Sequence, residues 1–280
     1  MYLLIGLILW AICHLCWQDS LLWTSRTLYC EGDPSRTSFP LLIHQTWKTE
    51  QLSSQQEKLV ASWKRHYPDY RHTLWTDHDM ELYVATRFAW YLPVWNQLSP
   101  FIKKVDTIRY MWMYDLGGIY ADLDTKCLRN AQHLLGTPGM AYIPASHSTP
   151  TWRLGSDRAS PAFLASYPGN PVWLLMLKRI SGVVHLPTLA ATGPIGLADL
   201  LHTIHRINHD ELRITVLSEA KWGVGWWKGW ASSPYMYHEN HGTWGSSAAN
   251  KRTAPWSCPI HVLDALNELL PPSLRHLYSS

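Results

Sequence analysis

This sequence has no run of lysine or arginine long enough to track a nucleic acid. Charged residues make up 16% of its 280 positions and the formal net charge is only +3, so nucleic acid is not the expected partner. Cysteine is scarce. Of five, Cys13 and Cys16 form the one Cys-x-x-Cys spacing, and it lies inside an apolar segment, so no zinc site is indicated. Cys30, Cys127 and Cys258 remain; three cannot all pair within the chain, and which two would pair in an oxidising compartment stays open. Residues 1–17 carry no charge, and the first charged residue is Asp19. At ~1.5 Å per residue that length just spans a hydrocarbon core of about 30 Å. No small-x-small cleavage site follows, which favours a retained anchor over a cleaved leader. No Lys or Arg precedes the segment and Arg26 follows it, so the positive-inside rule does not favour a lumenal domain. A buried N-terminal helix is the competing reading. No apolar run near the C-terminus is long enough to span a membrane.

What is abundant is aromatic: seventeen tryptophans and fourteen tyrosines. Aromatic faces fill cores and also stack on sugars and bases. The length and a 46% hydrophobic content suit one sizeable core. The expected organisation is a membrane segment (1–17), a stem (18–39) and one domain (40–280). Residues 40–47 read as a buried strand, 54–66 as a helix with Leu59, Val60 and Trp63 inward, and 71–76 as a second strand. Asp77 or Asp79 is placed to cap the helix after it. This alternation opens a doubly wound α/β sheet, in which ligands bind beyond the carboxyl ends of strands where strand order reverses. Trp47 sits at such an end, placed to stack on a base, with a core position as the alternative.

Residues 106–124 organise the chain. Ile102, Val105, Ile108 and Trp112 share one face of a helix, and Asp106 and Arg109 lie three apart on a neighbouring stripe. Gly117-Gly118 ends that helix. Beyond it Ile119, Ala121 and Leu123 alternate with Tyr120, Asp122 and Asp124, as on a strand with one polar face. Two carboxylates at that spacing repel unless a cation sits between them, and oxygen ligands favour Mg²⁺ or Mn²⁺ over zinc. An EF-hand is excluded, because Cys127 falls where its glycine is needed and His133 where its glutamate is needed. A further strand is expected at 140–143, and helices over 172–180 and from Thr192 to Leu201. The Trp/Gly-rich 223–230 reads as a lid or acceptor loop. His238 and His241 are candidate metal ligands.

Asp-x-x-Arg, then Gly-Gly-Ile-Tyr, then Asp-x-Asp resembles the signature of glycosyltransferase family 32. That family includes fungal initiation-type α-1,6-mannosyltransferases and inositolphosphoceramide mannosyltransferases, and a similar core occurs in clostridial glucosylating toxins. Ile43-His-Gln-Thr-Trp47 resembles the family's opening strand, Thr192-Gly-Pro its mid-chain element, and His238 through Trp244 its closing element, so residues 40–245 are covered. Pro161 stands where the family commonly has Asn, and Thr243 where it has Ser. The resemblance implies a GT-A-like nucleotide-sugar-binding sheet and a retaining, metal-dependent hexosyl transfer. It implies Mn²⁺ (or Mg²⁺) held by Asp122, Asp124 and His238. Arg109 would meet sugar or phosphate, Asp106 the sugar hydroxyls, and Tyr120 the nucleoside; Trp47 and Trp244 complete the donor pocket. GDP-mannose is the leading donor and a UDP-hexose the other; a glycan, a sphingolipid or a small metabolite would be the acceptor. The family's usual home implies a single-pass protein of the Golgi or endoplasmic reticulum with a lumenal catalytic domain.

Two other readings compete. A glycoside hydrolase needs two carboxyls flanking the scissile bond, about 5–9.5 Å apart, which neighbours on one strand face do not provide. A non-catalytic sugar-binding subunit would be expected to have lost motif acids, and here all are present.

Overall fold

The computed structural model describes residues 38–144, 159–206, 212–217 and 235–239. The chain enters through β1 (Leu42–Thr46), α1 (Ser54–His66), β2 (Arg71–Trp75) and α2 (Asp77–Arg87). A 3-10 turn and the short α3 (Leu92–Trp95) lead to α4 (Ile102–Asp115) and β3 (Gly118–Ala121). Then follow β4 (Thr125–Cys127), β5 (Ala141–Pro144), β6 (Phe163–Ser166), α5 (Pro171–Gly182), α6 (Thr188–Ala191), α7 (Pro194–Arg206), β7 (Ile214–Leu217) and β8 (Met236–His238).

Six strands form one sheet in the order β2-β1-β3-β6-β5-β7, and β4 pairs with β8 in a small second sheet. β1 runs parallel to both β2 and β3, so the chain leaves β1 on one side and returns on the other. Strand order therefore reverses between β1 and β3, and the carboxyl ends of these two strands flank the switch point. The α/β sheet expected from sequence is present, and the sense of its later strands is what the sequence leaves open. β6 runs antiparallel to β3 and to β5, which makes the sheet mixed. Strands covered on both faces read as apolar runs in either direction, so composition does not encode their sense.

Helices cover both faces. Tyr120, Leu164 and Ile143 pack with residues of α2, α4, α5 and α7, whereas Ile119, Ala121, Phe163 and Tyr142 pack with Trp63 of α1. The expected apolar stripe on α4 is too narrow a description. Lys103 and every residue from Asp106 to Met113 are buried, because the helix lies between the sheet and α5; Tyr110 stacks on Trp173 at 6.0 Å.

Gly117 and Gly118 follow α4 with φ of 65° and 86°. Their lack of a side chain is needed twice over. A Cβ on Gly117 would lie 2.7 Å from the Ser166 carbonyl oxygen, and one on Gly118 2.7 Å from that of Leu42. β3 can thus approach β1 and β6 only as Gly-Gly. Two capping boxes start the flanking helices. Ser53 with Gln56 opens α1, and Thr76 with Asp79 opens α2. The cap of α2 is therefore Thr76, with Asp79 its reciprocal partner three residues on, and Asp77 is already in the first turn. No helix among the described residues is long and apolar enough to cross a membrane. The expected anchor (1–17) and nearly all of the stem lie outside the described residues, as do Trp244, His241, Thr243 and the 223–230 loop.

Candidate active site

β3 ends at Ala121, and Asp122 and Asp124 stand in the turn just beyond it rather than on the strand. The turn then re-enters pairing as β4, whose Thr125 lies opposite His238 of β8. That pairing delivers His238 to Asp124, 114 residues away in sequence. One ligand atom from each of Asp122, Asp124 and His238 lies within 4.8 Å of the other two, and His238 Nε2 is 3.0 Å from Asp124 Oδ1. Burial works to lower the pKa of His238. The Asp124 hydrogen bond and the charges of Asp124 and Asp122 outweigh it and raise the pKa.

Asp122 is fixed at almost every polar atom. Its N–H donates to Ala162 O at 2.8 Å. Its carbonyl accepts from the Thr125 N–H at 3.0 Å, from the Thr125 hydroxyl and from Gln45 Nε2 at 3.3 Å. Tyr120 Oη donates to its Oδ1 at 2.7 Å, and Arg109 Nη2 lies 3.2 Å from the same oxygen. Among the described residues, both side-chain contacts fall on Oδ1, which leaves Oδ2 for a ligand.

Arg109 joins two carboxylates. Its Nη2 is also 3.2 Å from Asp106 Oδ1, its Nη1 donates to Pro161 O at 3.3 Å, and its guanidinium carbon lies 4.9 Å from the Tyr120 ring centre. Although burial opposes its charge, Asp122, Tyr120 and Asp106 hold it protonated. Asp106 Oδ2 accepts from the Thr192 hydroxyl at 2.9 Å. Burial pushes Asp106 up to about 6, against Arg109 and Thr192, which favour its carboxylate. With both oxygens accepting from donors, Asp106 is ionised at neutral pH. Asp106, Asp122 and Asp124 outnumber Arg109, an excess of acidic groups that a divalent cation would offset. Two carboxylates with one imidazole make a mixed oxygen and nitrogen donor set for a divalent cation, and the spare Oδ2 of Asp122 is oriented without further cost. The donor set fits such an ion.

The structure brings together Asp106, Arg109, Asp122, Asp124 and His238 as the sequence suggested. Tyr120 is the exception. It has no exposed surface, so it cannot line a nucleoside pocket; its phenol supports Asp122 instead. Asp106 and Arg109 are each 6% exposed and engaged with protein groups, which makes them the frame behind the acids. Trp47 follows β1 at the switch point, half-buried, with its N–H on Trp75 O at 3.0 Å. Thr192 lies before α7, which begins at Pro194: it closes α6, and its hydroxyl is spent on Asp106 and Thr188 O. Pro161 contributes a carbonyl, which needs no amide side chain. Gln45 and Thr192 were visible in the sequence only as letters of two family motifs.

The family description "glycosyltransferase sugar-binding region containing DXD motif" matches residues 53–140, which hold Asp106, Arg109, Asp122 and Asp124. Over those residues the chain is similar to that family. It is 29% identical over 210 residues to inositol phosphoceramide mannosyltransferase 3 of Schizosaccharomyces pombe, covering 73% of this chain and 52% of that one. A mannosyl phosphorylinositol ceramide synthase of Saccharomyces cerevisiae is 28% identical over 162 residues, 56% of this chain and 40% of the relative. An initiation-specific α-1,6-mannosyltransferase of Candida albicans is 29% identical over 108 residues, 36% and 27% respectively. The chain spans about half, or less, of the length of these curated relatives.

Proposed function

We propose that this glycosyltransferase is a metal-dependent hexosyltransferase of GT-A-like fold, moving mannose from GDP-mannose with retention of configuration. The observation that carries it is the convergence of Asp122, Asp124 and His238 to within 4.8 Å at the switch point between β1 and β3. Mannosyl transfer is supported by the names of the relatives. A divalent cation bound there supplies positive charge to the diphosphate as it leaves. The chain's own residues prepare that step. Arg109 and Tyr120 hold Asp122 so that one oxygen stays available, and Asp106, clamped by Thr192, holds Arg109. Trp47, at the carboxyl end of β1, would stack on the guanine. The acceptor would be a glycolipid or a glycan at the Golgi or endoplasmic reticulum membrane, reached by a lumenal domain anchored through residues 1–17.

The test is donor hydrolysis by the full chain in detergent against GDP-mannose, UDP-galactose and UDP-glucose with Mn²⁺. GDP-mannose turnover is expected, with EDTA abolishing it. Turnover of a UDP-sugar alone would move the donor assignment, and metal-independent turnover would end the cation reading.

A further inference from the structure

The parallel ladder between β1 and β3 is only two residue pairs long, Ile43↔Ile119 and His44↔Tyr120. Side chains of β1 hold β3 at both ends. His44 Nε2 lies 3.0 Å from Gly117 O, just before β3. Gln45 Nε2 donates to Asp122 O, just after it, at 3.3 Å. Gln45 is 0% exposed, and its other amide atom, Oε1, is 2.7 Å from His72 Nε2 on β2. The Asp122 carbonyl can only accept, so the amide must present nitrogen to it and oxygen to His72. His72 must therefore donate from Nε2 as the neutral Nε2–H tautomer.

We infer that Gln45 is a positioning residue for the cation site, with its amide set by His72, so that β2 and β1 together fix where Asp122 offers its free oxygen. This rests on the cation reading of Asp122, Asp124 and His238. Neither Gln45 nor His72 belongs to the proposed ligand set. Partners of this kind typically change metal affinity by about 10–100-fold when removed.

The experiment titrates the full chain with MnCl₂ alone, without nucleotide, and records a thermal melt for each protein. Gln45→Met keeps the side-chain volume and removes both polar atoms; it should weaken Mn²⁺ binding about tenfold. His72→Phe should weaken it in the same direction. The double variant should bind no worse than Gln45→Met, because one relay cannot be broken twice. Nitrogen-15 spectra should show His72 as the Nε2–H tautomer in the wild type. Additive losses, a Gln45→Met protein with unchanged Mn²⁺ affinity, or the Nδ1–H tautomer would each overturn the relay. A wild type that binds no Mn²⁺ would remove the cation reading and this inference together, whereas tight wild-type binding matched by Gln45→Met removes this inference alone.

Discussion

The Tyr120 hydroxyl donates to Asp122 Oδ1 at 2.7 Å from a ring that is itself fully buried. A phenol two residues before the first motif acid thus holds that acid without meeting solvent. Tyr120→Phe keeps the ring under Arg109 and deletes only this bond. The expected result is a loss of roughly 1 kcal/mol or less in stability and a several-fold weaker Mn²⁺ affinity. Unchanged metal affinity in a titration would show that Arg109 and the Asp122 backbone contacts hold the carboxylate by themselves.

Asp106, Arg109 and Thr192 form a buried chain in which removing different links has different consequences. Thr192→Val leaves one Asp106 oxygen without its donor, at about 1–3 kcal/mol. Asp106→Ala leaves Arg109 with Asp122 as its one remaining acid partner and should cost more than Thr192→Val, while staying below the ~3–5 kcal/mol of a buried charge left wholly unpaired. Urea denaturation of the two variants ranks them. Equal losses, or a stable Asp106→Ala protein, would mean the frame is less tightly coupled than the geometry indicates.

Trp47 has two readings with opposite signatures. Stacked on a base, Trp47→Ala weakens GDP binding by ~1–3 kcal/mol with little change in the melt. As core, the same truncation costs about 3–5 kcal/mol in stability and leaves GDP affinity unaltered. Its half-buried position beyond β1 favours the first outcome. Calorimetric titration with GDP and a melt on one preparation separate them.

Acid should destabilise the fold through the β1–β2 histidines. Burial lowers His44 from 6.5 to about 4. Its neutral ring is also fully used, with Nε2 on Gly117 O and Nδ1 accepting from the Trp75 indole N–H at 3.1 Å. His72 is lowered to about 4 as well, chiefly by burial. Between pH 6.5 and 4 the unfolded chain binds protons that these folded residues refuse, so stability is full above 6.5 and falls as pH drops. Asp106, raised from 3.8 to about 6, acts with the opposite sign over much of that window. Asp77, also raised by burial, acts with the same sign as Asp106; the two histidines, each lowered across the whole window, still leave a net fall. His44 alone contributes roughly 3 kcal/mol at most. Melts from pH 7 to 4.5 should decline for the wild type and decline less for His44→Gln; identical slopes would assign the acid sensitivity elsewhere.

The sequence was most readable where local rules act alone. The helix expected over 54–66 occurs as Ser54–His66 with Leu59, Val60 and Trp63 buried, because amphipathic spacing and the capping box agree. The Asp pair was readable from its spacing, and His238 from its place in a motif. Three things were not. The antiparallel sense of β6 is hidden because two-sided burial erases alternation. Tyr120 read as a polar-face residue, yet a helix covers that face of β3 and turns its hydroxyl inward. Gln45 and Thr192 contribute through contacts 77 and 86 residues away in sequence, and no periodicity reports such distances. Cys127 proves to be a buried free thiol, with burial pushing it up to about 12; Cys30 and Cys258 lie outside the described residues.

The central claim is that Asp122, Asp124 and His238 hold one divalent cation. It is tested most directly by equilibrium Mn²⁺ binding, followed by the loss of the free-ion paramagnetic resonance signal, for the wild type and Asp124→Asn. The account predicts one site in the wild type, emptied by EDTA. It predicts at least a tenfold loss of affinity in Asp124→Asn with a melting temperature close to the wild type's, since changing one partly exposed acid costs little stability. Equal Mn²⁺ affinity in the two proteins, or no binding by either, would contradict it.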